Sequence, residues 1–232
     1  MADSAALIVL QARMSSRRCP GKVLAELAGR PLLRYCLDRL VASGAGPVIL
    51  ATSVEADDDA VAEAGAESGV TVVRGPLDDV LGRFALAVEA WPGPFVIRAT
   101  ADNPAVDIEA PGRVLQQLAA GADYVVETGL PVGGAVEGVR TDVLRLAAAR
   151  AVDPYEREHV TPYVRRRPEE FVLALPFAPR PLRRPDVRLT VDTPADLAFM
   201  RRVFGVLRGD VRAPLAGIVE VADALRARGG LS

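Results

Sequence analysis

The sequence has few of the features that mark membrane proteins, disulfide-rich proteins and zinc proteins. Its 232 residues contain no uninterrupted apolar run of about 18 residues, the length that a transmembrane helix needs. The two cysteines, Cys19 and Cys36, lack metal-site spacing and are too few for a disulfide framework. The first residues carry no basic segment, and the apolar run at 5–10 is too short for a signal core. We therefore expect a cytoplasmic protein with no membrane partner.

A basic excess and the commonest phosphate-binding motifs are also missing. The formal net charge is −2 and the sequence pI is about 5.6. This balance argues against a nucleic-acid partner, because nucleic-acid-binding proteins usually carry a basic excess. The first loop of the chain, residues 11–22, matches neither G-x-x-x-x-G-K-[ST] nor G-x-G-x-x-G. A P-loop NTPase and a standard dinucleotide enzyme are therefore both disfavoured.

That first loop, with the sequence QARMSSRRCPGK, is nevertheless the most informative stretch of the chain. It follows an apolar run at residues 5–10 that has the length of a strand buried on both faces. A helical pattern of apolar residues begins soon after it, at residues 31–43. The loop therefore leaves the carboxyl end of a strand and leads to a helix, which is where open α/β sheets bind their ligands.

The side chains of this basic loop predict a polyphosphate site. Arg13, Arg17, Arg18 and Lys22 lie within ten residues, and Lys22 is the only lysine in the chain. Guanidinium groups bind phosphate oxygens with two N–H groups, whereas an ammonium acts as a compact point charge. Gly21 would let backbone N–H groups approach the anion. A solvated basic loop is the alternative, and the position after a buried strand favours the phosphate site.

Apolar strands alternate with helical segments along the first half of the chain. Strands are predicted at residues 5–10, 47–53, 70–75 and 94–100, and helices at 31–43, 57–64 and 78–90. The acidic run at 57–59 is typical of a helix start rather than a metal site. This alternation predicts an α/β fold with a mostly parallel central sheet and helices on both faces.

The pattern becomes less regular after residue 127. Strands are predicted at residues 171–175 and 187–191, and helices at 141–150, 153–166, 194–207 and 216–228. Pro162 should bend or break the second of these helices. Since no linker divides the chain, we expect one domain over residues 1–232, with an inserted half-lobe around 129–186.

Two aspartates follow predicted strands at the presumed ligand edge of the sheet. Asp102 lies in TADNP and Asp192 lies in VDTPAD. Such carboxylates suit Mg²⁺, which takes one or two of them together with substrate phosphates. Asp102 could instead be a turn residue, and Asp192 or Thr193 could cap a helix that begins at Pro194. The magnesium site is convincing only if both acids converge with the basic loop.

Five segments resemble the cytidylyltransferase family, which includes the spore-coat polysaccharide biosynthesis protein F group and has the CMP-sialic acid and CMP-KDO synthetases as relatives. The segments are LQARMSSRRCPGKVL at 10–24, RGPLDDVLGRF at 74–84, RATADNPAVD at 98–107, EREHVTPY at 156–163 and RLTVDTPADL at 188–197. They keep the family's order and span nearly the whole chain. Together they indicate both a fold and a reaction class.

The resemblance implies a nucleotide-diphospho-sugar transferase fold (GT-A-like, Rossmann-like), usually homodimeric, that uses CTP, Mg²⁺ and a small-molecule acceptor. The nucleotide-binding residues carried over by position are Gln11, Ala12, Arg13, Ser16, Arg18, Lys22, Thr52, Ser53 and Arg74, the last three near the base. Lys22, Arg13 and Arg18 would act in catalysis, and Asp102 and Asp192 would hold the metal.

One segment departs from the family. Where relatives commonly carry P-x-G-L-D-V-E, this chain has PVGGAVE at 131–137, so Gly134 and Ala135 replace a leucine and an aspartate while Glu137 is kept. That segment lies near the acceptor pocket in the family, so the acceptor is not identified. His159, the only histidine, is expected to be a hydrogen-bonded structural residue and not a general base.

Three functions are consistent with these residues. The first is transfer of CMP from CTP to a sugar, sugar-acid or phosphonate-type acceptor, with release of pyrophosphate. The second is a glycosyltransferase of the same fold that consumes a nucleotide sugar. The third is a non-catalytic nucleotide-binding protein that has lost its acceptor pocket at Gly134 and Ala135.

Overall fold

A computed structural model of the protein describes residues 6–229. The expectation about a signal segment rests partly on residues 1–5, which lie outside the described residues. The strands are β1 (Ala6–Gln11), β2 (Glu26–Leu27), β3 (Arg30–Pro31), β4 (Val48–Ser53), β5 (Thr71–Gly75), β6 (Phe95–Thr100), β7 (Tyr124–Val126), β8 (Glu137–Arg140) and β9 (Leu173–Ala174).

The α-helices are α1 (Leu32–Ala42), α2 (Asp59–Glu67), α3 (Val80–Ala87), α4 (Ala110–Ala119), α5 (Thr141–Arg150), α6 (Pro154–His159), α7 (Pro162–Arg165), α8 (Pro194–Val206) and α9 (Leu215–Gly229). Short 3-10 helices span Lys22–Leu24, Ala56–Asp58 and Arg180–Leu182. Within residues 6–229, no helix is both long and apolar enough to cross a membrane.

The central sheet confirms the expected α/β fold. Over residues 6–229 it has seven strands in the order β5-β4-β1-β6-β8-β7-β9, and β5, β4, β1 and β6 run parallel. Strand β8 is antiparallel to both of its neighbours, and β9 is parallel to β7. The sheet is therefore mostly parallel, with one reversed strand in its second half.

Strand β1 is the centre of the core because its side chains are buried on both faces of the sheet. Ile8 and Leu10 pack in one hydrophobic cluster, while Leu7 and Val9 pack in a second cluster on the opposite face. A run without polar residues is what a strand covered by helices on both sides requires. The prediction of a strand buried on both faces is therefore confirmed.

This topology fixes the place of the basic loop. From β1 the chain moves to β4 on one side, and it later returns to β6 on the other side of β1. The order of strands therefore reverses between β1 and β6, and such a reversal opens a crevice at the carboxyl ends of the two strands. The loop after β1 and the segment after β6 meet there.

Two predictions about the second half of the chain need correction. Residues 187–191 form no strand, since their only β-type pairing is one isolated bridge between Val132 and Arg188. Their backbone hydrogen bonds go instead to loops: Leu189 N–H donates to Val132 and Val191 N–H donates to Asp102. The strand predicted at 171–175 is reduced to β9.

The helix predicted at 153–166 is broken, as expected from Pro162, but the pivot lies two residues earlier. Val160 has a φ of +72° between α6 and α7, and Thr161 N–H donates across it to the carbonyl of His159 at 2.9 Å. A β-branched residue in this tight turn is strained. The turn ends α6 so that Glu158 and His159 line the cleft beside the basic loop.

Candidate functional site

A cleft of about 1100 Å³ opens at the carboxyl ends of β1 and β6. The predicted site residues that line it are Gln11, Ala12, Arg13, Ser16, Arg18, Lys22 and Asp102. The other lining residues come from the basic loop and Val23, from β6 and the residue after it, from the segment 77–83, from Asp57 and from the end of α6. The structure therefore brings the basic loop and one of the two predicted acids into one space.

The basic loop has a defined shape. Gly21 N–H donates to the carbonyl of Met14 at 3.1 Å, and Lys22 N–H donates to that of Cys19 at 3.2 Å. Gly21 has a φ of +69° and comes directly before the 3-10 helix that begins at Lys22. A residue with a side chain would be strained there, so the glycine lets the loop turn back toward the sheet. The turn directs Lys22 into the cleft.

Lys22 joins the two predicted acids. Its Nζ donates to the carbonyl of Val191 at 2.6 Å, and it lies 3.3 Å from both Asp102 Oδ2 and Asp192 Oδ1. Lys22 is almost fully buried, and both aspartates are partly buried. The two carboxylates therefore meet at one cation, the ammonium group of Lys22.

The side chain of Asp192 is available to the site because another residue caps the helix. The Thr193 hydroxyl accepts a hydrogen bond from Asp196 N–H, and the Asp196 carboxylate accepts one from Thr193 N–H, which forms a capping box at the start of α8. Asp192 instead contacts Arg18 at 3.1 Å and Arg188 at 2.5 Å. Burial raises the pKa of Asp192, but the Arg188 hydrogen bond and the Lys22 charge lower it more, so the carboxylate stays ionised.

Asp102 is oriented by its neighbours. Thr100 donates its hydroxyl to Asp102 Oδ1 at 2.6 Å, and Asn103 donates its amide to the same Thr100 hydroxyl at 2.8 Å. Oδ2 remains directed at Lys22. Hydrogen bonds of this kind fix the direction in which a carboxylate presents its lone pairs.

The donor set fits Mg²⁺ only if a substrate supplies further ligands. Among residues 6–229 there is no group of three or more His, Cys, Asp or Glu side chains that could enclose a metal ion. Mg²⁺ commonly takes one or two protein carboxylates and completes its six oxygen ligands with phosphates and water. Asp102 and Asp192 meet that requirement for a metal that arrives with a polyphosphate.

Arginines on two walls of the cleft add positive charge. Arg13 lies 2.9 Å from Glu158 of α6, in a partly exposed ion pair. Arg83 of α3 is buried, lines the cleft and donates to the carbonyls of Pro76 and Leu77. Burial, and then the charge of Arg13, lower the pKa of Arg83. Arg83 and Glu158 lie in segments that carry the family resemblance, but their place in the cleft was not predicted.

Three of the predicted nucleotide-binding residues lie outside the cleft lining. Thr52 and Ser53 at the end of β4 are fully buried, and Ser53 hydrogen-bonds Asp58. Arg74 donates to the carbonyls of Ser53 and Glu55 and pairs with Asp59 at 2.7 Å. The structure therefore does not bring these side chains together with the basic loop.

Glu137 ties the cleft to the second half of the sheet. Arg98 donates to Glu137 at 2.6 Å and to the Gln11 side chain at 3.1 Å, and it lines the cleft. Glu137 also accepts from Tyr124 at 2.8 Å and from Thr161 at 3.3 Å. The glutamate that this chain shares with the family pattern thus holds Arg98 and Gln11 in place.

The two residues that depart from the family pattern lie outside the cleft lining. A Cβ at Gly134 would lie 3.2 Å from the Leu215 side chain of α9 and from the carbonyl of Pro131. Ala135 is half-buried against the hydrophobic core. In this chain Leu215 therefore packs over position 134, and the departure leaves the basic loop and the two acids intact.

Comparisons with known proteins agree on one family. A family model described as cytidylyltransferase matches residues 7–217. The chain is 33% identical over 205 residues to spore coat polysaccharide biosynthesis protein SpsF of Bacillus subtilis (strain 168), a match that covers 85% of each chain.

Two solved structures share the fold. One is a cytidylyltransferase from Leptospira borgpetersenii serovar Hardjo-bovis (strain JB197), with a TM-score of 0.87, 24% identity, and coverage of 96% of this chain and 95% of that chain. The other is a CMP:2-keto-3-deoxy-manno-octonic acid synthetase in complex with CTP, with a TM-score of 0.65, 18% identity, and coverage of 87% and 99%. At these identities the two matches establish the fold.

Proposed function

The chain belongs to the cytidylyltransferase family of nucleotidyltransferases, and from that premise we propose that it transfers CMP from CTP to a small-molecule acceptor. The observation that carries the proposal is the position of Lys22 between Asp102 and Asp192, inside a cleft that the basic loop lines. A cation-rich loop opposite two carboxylates suits a triphosphate that brings a divalent ion. The solved synthetase with CTP bound supports the choice of nucleotide.

In the proposed reaction an acceptor oxygen attacks the α-phosphorus of CTP. A new P–O bond forms, the bond to the β-phosphate breaks, and pyrophosphate leaves with the bonding electrons. A hydroxyl acceptor gives its proton to water, whereas a carboxylate or phosphonate acceptor has none to lose. Such transfers need in-line positioning and charge neutralisation more than covalent chemistry.

The residues of this chain would divide that work. Lys22, Arg13 and Arg18 would bind the triphosphate and neutralise charge on the departing pyrophosphate. Ser16 and the backbone of the loop would donate hydrogen bonds to phosphate oxygens. Asp102 and Asp192 would hold Mg²⁺, which supplies further charge neutralisation at the phosphate oxygens when bound.

For the acceptor we propose a sugar or sugar acid, or a related phosphonate. The support comes from relatives whose names refer to polysaccharide biosynthesis and to an octonic acid. The positive charge of Arg17 at the cleft would suit an acceptor that carries a carboxylate. We also propose that the protein acts in the cytoplasm and as a homodimer. Analytical ultracentrifugation tests the oligomeric state.

Pyrophosphate release tests the function directly. The purified protein would be incubated with CTP, Mg²⁺ and a panel of sugars, sugar acids and phosphonates, with ATP, GTP and UTP in parallel. Release that depends on both CTP and an acceptor supports the proposal. Release of a nucleoside diphosphate from nucleotide sugars would indicate a glycosyltransferase instead. CTP binding without release for any acceptor would favour a non-catalytic protein.

A further inference from the structure

Asp58 is a buried carboxylate that helix capping does not explain. It lies at the end of the 3-10 helix Ala56–Asp58, directly before α2, and it is 1% exposed. Although it occupies the N-cap position of α2, its side chain makes no capping hydrogen bond. The acidic run at 57–59 therefore does more than start a helix.

The carboxylate is engaged by the basic loop and by β4. Oδ1 accepts a 2.6 Å hydrogen bond from the backbone N–H of Met14. Oδ2 accepts hydrogen bonds from the hydroxyl of Ser53 and, at 3.3 Å, from Ser53 N–H. Asp58 thus bridges the end of a central strand and the middle of the loop that lines the cleft.

Both backbone polar groups of Met14 are hydrogen-bonded. Its N–H donates to Asp58, and its carbonyl accepts from Gly21 N–H at 3.1 Å. Arg13 directly precedes Met14, and Ser15 to Arg18 lie in the segment between Met14 and Gly21. Fixing Met14 therefore sets the position from which the phosphate-binding side chains extend.

The charge of Asp58 matters to this role. No cationic side chain forms an ion pair with Asp58 in the described part of the chain, so its direct partners are hydrogen-bond donors, and Arg83 interacts with it only at longer range. Burying a carboxylate costs free energy that a neutral acceptor would not incur. In return, hydrogen bonds to an ionised acceptor are roughly twice as strong as neutral ones.

We propose that Asp58 is a positioning residue that holds the loop at 11–22 in its anion-binding shape before the ligand arrives. The inference rests on the proposed function only in taking the anion to be the triphosphate of a nucleotide. Preorganisation of this kind improves affinity because the loop loses less freedom on binding. Asp58 itself touches no substrate in this account.

Three variants separate positioning from simple support of the fold. Asp58→Ala removes all three hydrogen bonds, and Asp58→Asn keeps one oxygen acceptor but removes the charge. Glu63→Gln removes a charge from an exposed position on the same helix, α2, and serves as the matched control. Each protein is compared by hydrogen exchange of the peptide covering residues 11–22 and by calorimetric titration with CTP and with tripolyphosphate.

We expect the Met14 amide to exchange about tenfold to hundredfold faster in Asp58→Ala, with a smaller change in Asp58→Asn. Affinity for CTP and for tripolyphosphate should fall at least tenfold in Asp58→Ala and less in Asp58→Asn. Glu63→Gln should stay within twofold of the wild type in every measurement. If Asp58→Ala does not fold, Asp58→Asn decides the question.

Other outcomes overturn either this inference or the proposed function, and they can be told apart. Variants that melt earlier but bind both ligands with wild-type affinity would make Asp58 a purely structural residue. A wild type that binds tripolyphosphate but not CTP would overturn the proposed nucleotide substrate. Titration of the same Asp58 variants with tripolyphosphate would then still decide the positioning role. A wild type that binds neither ligand would overturn the anion-binding loop itself.

Discussion

Nζ of Lys22 lies 3.3 Å from Oδ2 of Asp102, although 80 residues of sequence separate them. The contact crosses the crevice between β1 and β6, where the strand order reverses. It shows that the basic loop and the carboxylate that follows β6 meet in the cleft.

Removing the Lys22 ammonium should chiefly lower turnover. Lys22→Ala should reduce kcat/KM for CTP by about 10²-fold or more, because the charge is needed most as negative charge builds on the leaving pyrophosphate. Arg212→Ala, which removes an exposed charge outside the cleft lining, serves as the control. Steady-state pyrophosphate release measures both. An unchanged kcat/KM in Lys22→Ala would show that the lysine has no such role.

The same lysine should compete with divalent metal. Its ammonium occupies the space between Asp102 and Asp192, so we expect weak binding of Mn²⁺ in the absence of nucleotide. Lys22→Met removes the one cation that both carboxylates share, while Arg18 and Arg188 still contact Asp192. It should bind Mn²⁺ at least tenfold more tightly, as followed by the electron paramagnetic resonance signal of the free ion. Adding Asp102→Asn to that variant should reverse the gain. Equal affinity in wild type and Lys22→Met would contradict the competition.

Glu158 should weaken binding of the nucleotide in the wild type. Its carboxylate pairs with Arg13 and adds negative charge to a cleft for an anion, and the Arg13 hydrogen bond lowers the pKa of Glu158. Because exposed ion pairs are weak, Glu158→Gln should tighten CTP binding only about twofold to fivefold. Glu169→Gln, at an exposed position, is the control for calorimetry. Binding weakened more than fivefold would mean that the glutamate holds Arg13 in its binding position.

Asp196 should stabilise the fold in a pH-dependent way. Burial raises its pKa, but hydrogen bonds from Arg188 and from the N–H groups of Asp192 and Thr193 lower it to about 2 from an ordinary 3.8. Since the folded-state pKa is depressed, the stabilisation is complete above about pH 4 and is lost as pH falls toward 2. Asp196→Asn should lower the free energy of unfolding at pH 7 by about 2 kcal/mol.

Urea unfolding at pH 7, 5, 4 and 3 measures that difference. The gap between Asp196→Asn and wild type should be constant down to about pH 4 and should narrow at pH 3. Glu220→Gln, an exposed change on α9, should leave the free energy of unfolding within a few tenths of a kcal/mol. A gap that does not change between pH 7 and pH 3 would show that ionisation of Asp196 is not the cause.

The first half of the fold could be predicted because its signals are local. Strand β1 is an unbroken apolar run with helical patterns after it, and such alternation leaves few topologies. The meeting of Lys22 and Asp102 followed from the same rule, since the parallel strands β1 and β6 end at one edge of the sheet. Asp192 reaches Lys22 even though residues 187–191 form no strand.

Other features depend on contacts that no local pattern records. Residues 187–191 alternate in a way that is typical of a strand, yet their backbone groups bond to the loops around Val132 and Asp102. Asp58 looks like part of a helix start, and only the approach of Met14 in the folded chain reveals its bond to the loop. Arg83 enters the cleft because α3 packs beside β5, which the sequence does not specify.

The most direct test is a crystal structure of the protein with CTP and Mn²⁺, using the anomalous signal to locate the metal. We predict a manganese ion about 2 Å from carboxylate oxygens of both Asp102 and Asp192, with the triphosphate against Lys22 and the basic loop. A triphosphate bound away from Lys22, or an ion that touches neither aspartate, would contradict the account.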